Sequence, residues 1–207
     1  RIASQAVAGF FPTPAVLLPL IAALVTCGKG RHLFVDPCAG EGEAVFTLSR
    51  LMAPPIEEPH RHRPGETYAV YRASVLACEM EATRFGKLEE RAAPTRLYTN
   101  LVHGDAFRLR LGKDAAHGSV LYLNPPYDTD RRFGRLEEKW LRRFGPVLRA
   151  GGALFFVVPF YALPASAETL ARDFTDLACF RFPGEHHAAF RQVVLVARRR
   201  GAPLLAP

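Results

Sequence analysis

Short apolar runs rich in Val, Leu and Phe recur along this chain and alternate with stretches whose apolar residues return every three or four positions. The runs predict strands near 32–36, 74–79, 97–102, 119–123, 152–158, 176–182 and 191–198. The periodic stretches predict helices near 14–26, 42–52, 81–91, 134–148 and 166–172. Strands that read as continuous apolar runs are buried on both faces, and their alternation with helices makes the sheet mostly parallel. The last two runs are joined by Pro183 to Phe190, which is too short for a crossover helix, so they are expected to pair antiparallel. The expected fold is therefore α/β: a mostly parallel seven-stranded sheet with an antiparallel terminal hairpin and helices on both faces.

Residues 53–72 break the alternation with a cluster of Pro and charge around His60, Arg61, His62 and Arg63, and are expected to form an exposed insertion. His60 and His62 have no companion set of Cys, Asp or Glu, and read as loop residues rather than metal ligands; His186 and His187 read the same way. The recurrence of Arg-Arg-Phe-Gly at 131–134 and 142–145 reads as one basic amphipathic segment crossing a glycine. At 207 residues and 49% hydrophobic, residues 1–207 suit one domain with a large core. Its expected parts include an N-terminal segment and helix at 1–31 and a tail at 199–207 that can continue into a further region. The first residue is not Met, which raises the same expectation at the other end.

The formal charge of +7, carried mainly by Arg, favours a polyanionic partner, although a GC-rich coding sequence also enriches Arg. Cys27, Cys38, Cys78 and Cys179 show no metal-type spacing and read as reduced, buried thiols of a cytoplasmic protein; no metal is expected. The apolar stretch Ala15 to Val25 is too short to cross a bilayer and contains Pro19.

Chemistry concentrates in Asn124-Pro125-Pro126-Tyr127, directly after the apolar run Val120 to Leu123. An exocyclic amino group on a π-system is a poor nucleophile because its lone pair is delocalised. Acceptors aimed at both N–H bonds draw that pair back onto nitrogen. The Asn124 side-chain oxygen is one candidate acceptor and the Pro125 carbonyl the other, on a backbone whose φ angles two prolines fix. Tyr127 can stack on the planar group, so the catalysis this motif offers is orientation and electrostatics.

Together with Asp36-Pro37-Cys38-Ala39-Gly40-Glu41-Gly42 and the upstream Phe11-Pro12-Thr13-Pro14, this motif resembles the γ-class of amino-methylating DNA methyltransferases. The resemblance covers most of residues 9–198. It implies the Rossmann-like class I methyltransferase fold, S-adenosylmethionine as cofactor and S-adenosylhomocysteine as its product. The implied activity is methylation of adenine N6 in DNA, with the base flipped into the pocket formed by Asn124, Pro125, Pro126 and Tyr127. In the glycine turn, Asp36, Pro37, Ala39, Gly40 and Gly42 would meet the cofactor, the glycines letting backbone pass close to a ligand. Glu79 looks like the ribose-binding acid, with Met80 beside it; as a helix-start acid, Glu79 and Glu81 are interchangeable. Asp105, Ala106 and Phe107 resemble the adenine-binding motif, and Asp105 is equally a turn residue capping a short helix.

Phe11, Pro12 and Thr13 resemble the segment that closes over the methionine end, while Thr13 followed by Pro14 is also a plain helix start. On the substrate side, the resemblance points to Tyr127, to Arg131 and Arg132 for phosphates, and to His187 or Phe190 as a second wall, with Phe190 equally a core residue. Arg135, Arg142 and Arg143 extend the basic segment, the last two also fitting a solvated helix face. Other substrates stay open: RNA adenine, a protein glutamine, or none, as in an inactive cofactor-binding subunit. A specificity subunit, a flanking region or residues 53–72 would supply sequence recognition.

Overall fold

The structure is a computed structural model that describes residues 11–110, 118–130, 134–184, 186 and 191–204. In chain order, α1 (Leu18–Ala22) precedes β1 (His32–Asp36) and α2 (Glu43–Met52), and a hairpin of β2 (Ile56–Pro59) and β3 (Thr67–Val70) follows. Next come β4 (Ala73–Glu79), α3 (Ala82–Ala92), β5 (Tyr98–His103) and β6 (Gly118–Leu123). A short pair, β7 (Thr129–Asp130) and β8 (Gly134–Arg135), leads into α4 (Leu136–Phe144), β9 (Leu148–Pro159), α5 (Leu163–Asp173), β10 (Phe174–Arg181) and β11 (Gln192–Arg199).

Among the described residues, one seven-stranded sheet runs in the order β10-β11-β9-β6-β1-β4-β5. The β6–β9, β1–β6, β1–β4 and β4–β5 pairs are parallel, and β11 runs antiparallel to both β9 and β10. Both faces are apolar because alternate residues feed two cores. Phe155 and Val157 join Phe34, Leu48 and Leu88 under α1, α2 and α3, whereas Leu154, Phe156 and Val158 join Leu141, Phe144 and Leu170 under α4 and α5. Each such fully buried side chain contributes about 1.5–3 kcal/mol relative to exposure.

Two helices are shorter than their periodicity predicts. The region 14–26 holds a 3₁₀ turn, Ala15–Leu17, and then α1. The 134–148 helix stops at Phe144, and Gly145–Val147 forms a 3₁₀ turn, because Pro146 has no N–H to carry the helical ladder on.

Residues 53–72 form the exposed β2–β3 hairpin, closed by pairing of Ile56 with Val70 and of Pro59 with Thr67. The hairpin delivers the chain to Ala73, which is in register with His32 at the start of β1, so it stands at the N-terminal edge of the parallel strands. All four cysteines are free, and the expectation that all are buried holds for Cys78 alone: Cys27 and Cys38 are half-buried, and Cys179 is exposed on the edge strand β10. Among the described residues, no helix is long and apolar enough to cross a membrane.

Candidate active site

The C-terminal ends of β1, β4, β5 and β6 lie side by side, the edge at which open parallel sheets bind ligands. β1 ends in Asp36, whose Oδ1 accepts from the Cys38 N–H at 3.1 Å, and the turn then passes through Gly40 (φ 57°) and Gly42 (φ 81°). Both angles are left-handed, where a side chain is strained. A Cβ on Gly42 would also lie 2.5 Å from Leu88 Cδ1 and 3.0 Å from Phe46, so this glycine makes room for α3.

Glu79, at the end of β4, ties the turn to the next helix. Its Oε2 accepts from the Gly40 N–H at 2.9 Å, and its Oε1 accepts from the Glu81 N–H at 2.8 Å and from Arg84 at 2.9 and 3.0 Å. The two acids thereby divide their roles: Glu81, not Glu79, caps α3, accepting from the N–H groups of Thr83 and Arg84. Burial, with the nearby charge of Glu79 adding to it, pushes the Asp36 carboxyl up to about 7, against the opposing hydrogen bond from Cys38.

β6 is followed directly by Asn124, whose amide is held from both sides. Its Nδ2 donates to the Phe11 carbonyl at 2.8 Å and to Thr13 Oγ1 at 3.3 Å, while its Oδ1 accepts from the Tyr127 hydroxyl at 2.6 Å. Thr13 is buried and also shares a hydrogen bond with the Tyr122 hydroxyl. The helix-start reading of Thr13 is corrected here, because the first turn begins after Pro14 and has no side-chain cap. Gln192, at the start of β11, donates to the Tyr127 hydroxyl at 2.7 Å. Burial raises the Tyr127 pKa far above its ordinary range, so the hydroxyl keeps its proton and acts as a donor to Asn124. Phe11 lies parallel to the Tyr127 ring with centroids 5.0 Å apart, so one face of Tyr127 is covered by the chain itself.

One cavity of about 590 Å³ connects these parts. Phe11 to Pro14, Asn124 and Pro126 line one end, Asp36 to Ala39 the middle, and Glu79, Met80, Asp105 and Ala106 the other end. Asp105 also caps the 3₁₀ turn Ala106–Arg108 by accepting from the Phe107 N–H at 2.9 Å, so its turn reading and its place at the cavity coexist. Among the described residues, no group of three or more His, Cys, Asp and Glu is placed to hold a metal ion.

A family model described as an uncharacterised methyltransferase family, DUF6094, matches residues 76–203. The chain belongs to that family. No curated protein matches the sequence. Among solved structures it is similar to a protein assigned as the modification subunit of a type I restriction enzyme from Vibrio vulnificus YJ016. That match has a TM-score of 0.72 and 16% identity over 96% of this chain and 46% of that one. It is also similar to the methyltransferase subunit of a type I restriction-modification system from Streptococcus thermophilus, with a TM-score of 0.65 and 15% identity over 92% of this chain and 44% of that one. A third is the M. jannaschii tRNA m1G37 methyltransferase, with a TM-score of 0.58 and 11% identity over 93% of this chain and 52% of that one. At such identities the likeness shows the fold, which is the Rossmann-like class I methyltransferase fold. The chain spans about half the length of these three structures.

Within this chain the expected site residues are distributed unevenly. Phe11, Pro12, Thr13, Asp36, Pro37, Ala39, Glu79, Met80, Asp105, Ala106, Asn124 and Pro126 meet at the cavity, with Tyr127 behind Asn124. Gly40 and Gly42 shape the turn without lining the cavity, and Pro125 is buried and does not line it either. Phe107 turns away, its ring edge-on to Trp140 at 4.9 Å and Phe144 at 5.7 Å; Trp140 is the ring that lines the cavity. The sequence does not single out Trp140, Arg84 and Tyr122, although Trp140 is the single Trp of the chain and lies shortly after the Asn-Pro-Pro-Tyr motif. Arg131, Arg132, His187 and Phe190 lie outside the described residues. The basic segment divides: Arg135 immediately precedes α4 and pairs with Glu137, whereas Arg142 and Arg143 sit in its last turn, where Arg143 donates to the Leu109 carbonyl at 2.6 Å.

Proposed function

We propose that this methyltransferase moves a methyl group from S-adenosylmethionine to the exocyclic N6 amino group of adenine in DNA. The observation that carries the reading is the shared cavity, in which Asn124 and Pro126 stand at one end and the carboxylates of Asp36, Glu79 and Asp105 along the rest. These residues fit the cofactor. The volume lies in the usual range for such ligands, and carboxylates suit an ammonium, ribose hydroxyls and an adenine amino group. Trp140, Met80 and Ala106 offer apolar surface to a planar ring. Asp36 and Glu79 would hold the polar end and the ribose, and Asp105 the adenine edge. The bound cofactor supplies an electrophilic methyl carbon.

The chain's own residues do the rest. Asn124 is locked with its nitrogen toward the Phe11–Thr13 strap and its oxygen toward Tyr127. A carboxamide oxygen has two lone pairs, so Oδ1 can accept the Tyr127 O–H and one N–H of the target together. That acceptance strengthens as the amino nitrogen gains positive charge, so it stabilises the transition state more than the ground state. The Pro125 carbonyl is assigned to the second N–H. The target ring stacks on Tyr127, either on its other face or in the place of Phe11. The restriction-modification subunits among the similar structures and the basic sequence support DNA. The tRNA methyltransferase among them is the ground for RNA as a second reading. Target-sequence recognition is assigned to a partner subunit or flanking region, in keeping with the half-length match. The β2–β3 hairpin stands at the opposite edge of the sheet from Asn124.

The test is incubation with radiolabelled S-adenosylmethionine and mixed DNA, RNA and protein, followed by separation and mass spectrometry of the labelled product. Label in DNA as N6-methyldeoxyadenosine is expected. Label confined to RNA selects the second reading, label in protein glutamine overturns both, and cofactor binding without any label points to a non-catalytic subunit.

A further inference from the structure

Beyond the cavity, the C-terminal edge carries two large aromatic rings that the core does not use. Phe160 and Tyr161 are 49% and 53% exposed in the 3₁₀ turn that follows β9. The turn itself is firmly seated, since Ala162 is buried and the Phe160 N–H donates to the Arg191 carbonyl at 3.0 Å. Its position relative to the catalytic corner is set by the sheet. Pro159 is in register with Gln192, and the Gln192 amide is the group that donates to the Tyr127 hydroxyl. The exposed rings therefore begin one residue beyond the strand pair that pins Tyr127.

A cation accompanies them. The Arg135 guanidinium lies 5.2 Å from the Tyr161 ring centroid and is held there by a two-nitrogen ion pair with Glu137, whose side chain is fully buried. A buried carboxylate needs its partner, so this pair fixes the guanidinium plane rather than leaving it to wander. The two rings meet edge to face with centroids 6.3 Å apart, so a ligand meets ring surfaces in two orientations beside a fixed guanidinium plane. Isolated exposed apolar residues need no explanation; paired rings with a locked guanidinium at the edge of a candidate active site do.

Unpaired nucleobases match this chemistry. Their faces stack on aromatic rings and guanidinium planes, whereas bases inside a duplex expose no face to a side chain. We propose that Phe160, Tyr161 and Arg135 form a stacking platform for an unpaired nucleotide adjoining the target, so that the methyltransferase acts on a single-stranded or locally opened nucleic acid. The proposal rests on the nucleic-acid reading of the Asn124 site and adds the state in which the strand is presented. It also explains how one sheet edge can hold both an extruded base and the neighbour that loses its stacking partner.

The experiment uses the full chain with a fluorescently labelled mixed-sequence DNA oligonucleotide, single-stranded or annealed to its complement, and measures anisotropy at fixed salt. Wild type is expected to prefer the single strand. Phe160→Ala and Tyr161→Ala should each weaken single-strand binding roughly tenfold while duplex binding stays nearly constant, and Tyr161→Phe should bind like wild type because the ring remains. S-adenosylmethionine binding measured by calorimetry should be unchanged in all three variants, which checks that the cavity is intact. Wild-type single-strand affinity in both alanine variants overturns the platform while leaving the Asn124 chemistry standing. Binding of neither oligonucleotide by wild type, with label entering protein in the methylation assay, overturns the nucleic-acid reading and the platform with it.

Discussion

Asp36 offers a quantitative check on the site. Its carboxyl is buried and accepts from Cys38, and burial pushes it up to about 7. In the unfolded chain the same group titrates near its ordinary value of roughly 3.9. Between these values the folded state holds a proton that the unfolded state has released, so folding stability falls as pH rises through this window. The stability contribution is complete below about pH 4 and lost above about pH 7. A displacement of about three pH units corresponds to a penalty on the order of 4 kcal/mol at high pH. Asp36→Asn isolates it, because the amide oxygen can still accept from Cys38 and no longer ionises. Urea unfolding followed by the fluorescence of Trp140 should show the variant close to wild type at pH 4 and more stable by a few kcal/mol at pH 8.5. The same variant should bind S-adenosylmethionine more weakly at pH 8.5, since the carboxylate that faces the cavity has gone. A stability difference that does not change with pH would refute the account of Asp36 as a desolvated acid.

Three further outcomes are expected. Gly42→Ala combines a left-handed φ with a Cβ placed 2.5 Å from Leu88, and should cost about 2–4 kcal/mol in urea unfolding; unchanged stability with weakened cofactor binding would instead make Gly42 a ligand cradle. Asn124→Ala should lower methyl transfer by roughly 100–1,000-fold with cofactor affinity nearly intact, whereas Tyr127→Phe, which keeps the ring, should retain most activity; equal loss in both would show that the Tyr127 hydroxyl itself takes part. Asp105→Ala should weaken S-adenosylmethionine binding about tenfold by calorimetry, and equal affinity would remove Asp105 from the cofactor site.

Much of this molecule is local, and local features are legible in a string of residues. The strands of the main sheet are apolar on both faces, so a run such as Val120 to Leu123 announces itself without knowledge of its neighbours. The Asn-Pro-Pro-Tyr motif and the glycine turn are likewise contiguous. The β2–β3 hairpin is legible in the sequence only as an exposed insertion because its residues are almost all solvent-facing, leaving no buried alternation to mark a strand. Thr13 followed by Pro14 also fits a helix start in the sequence, because the partners it takes instead, Tyr122 and Asn124, are remote along the chain.

The sequence by itself therefore determined the order of the main-sheet strands and the helices between them, the antiparallel end of the sheet and the place of the Asn-Pro-Pro-Tyr motif directly after a buried strand, since each depends on periodicity or on adjacent residues. Only the tertiary structure decided that Gly42 serves the packing of Leu88, that Trp140 rather than Phe107 lines the cavity, that the Tyr127 hydroxyl engages Asn124, and that Phe160 and Tyr161 stand beside them. These are relations between side chains brought together by strand order and register, and no local pattern encodes the distance between two elements until the sheet has closed around its core.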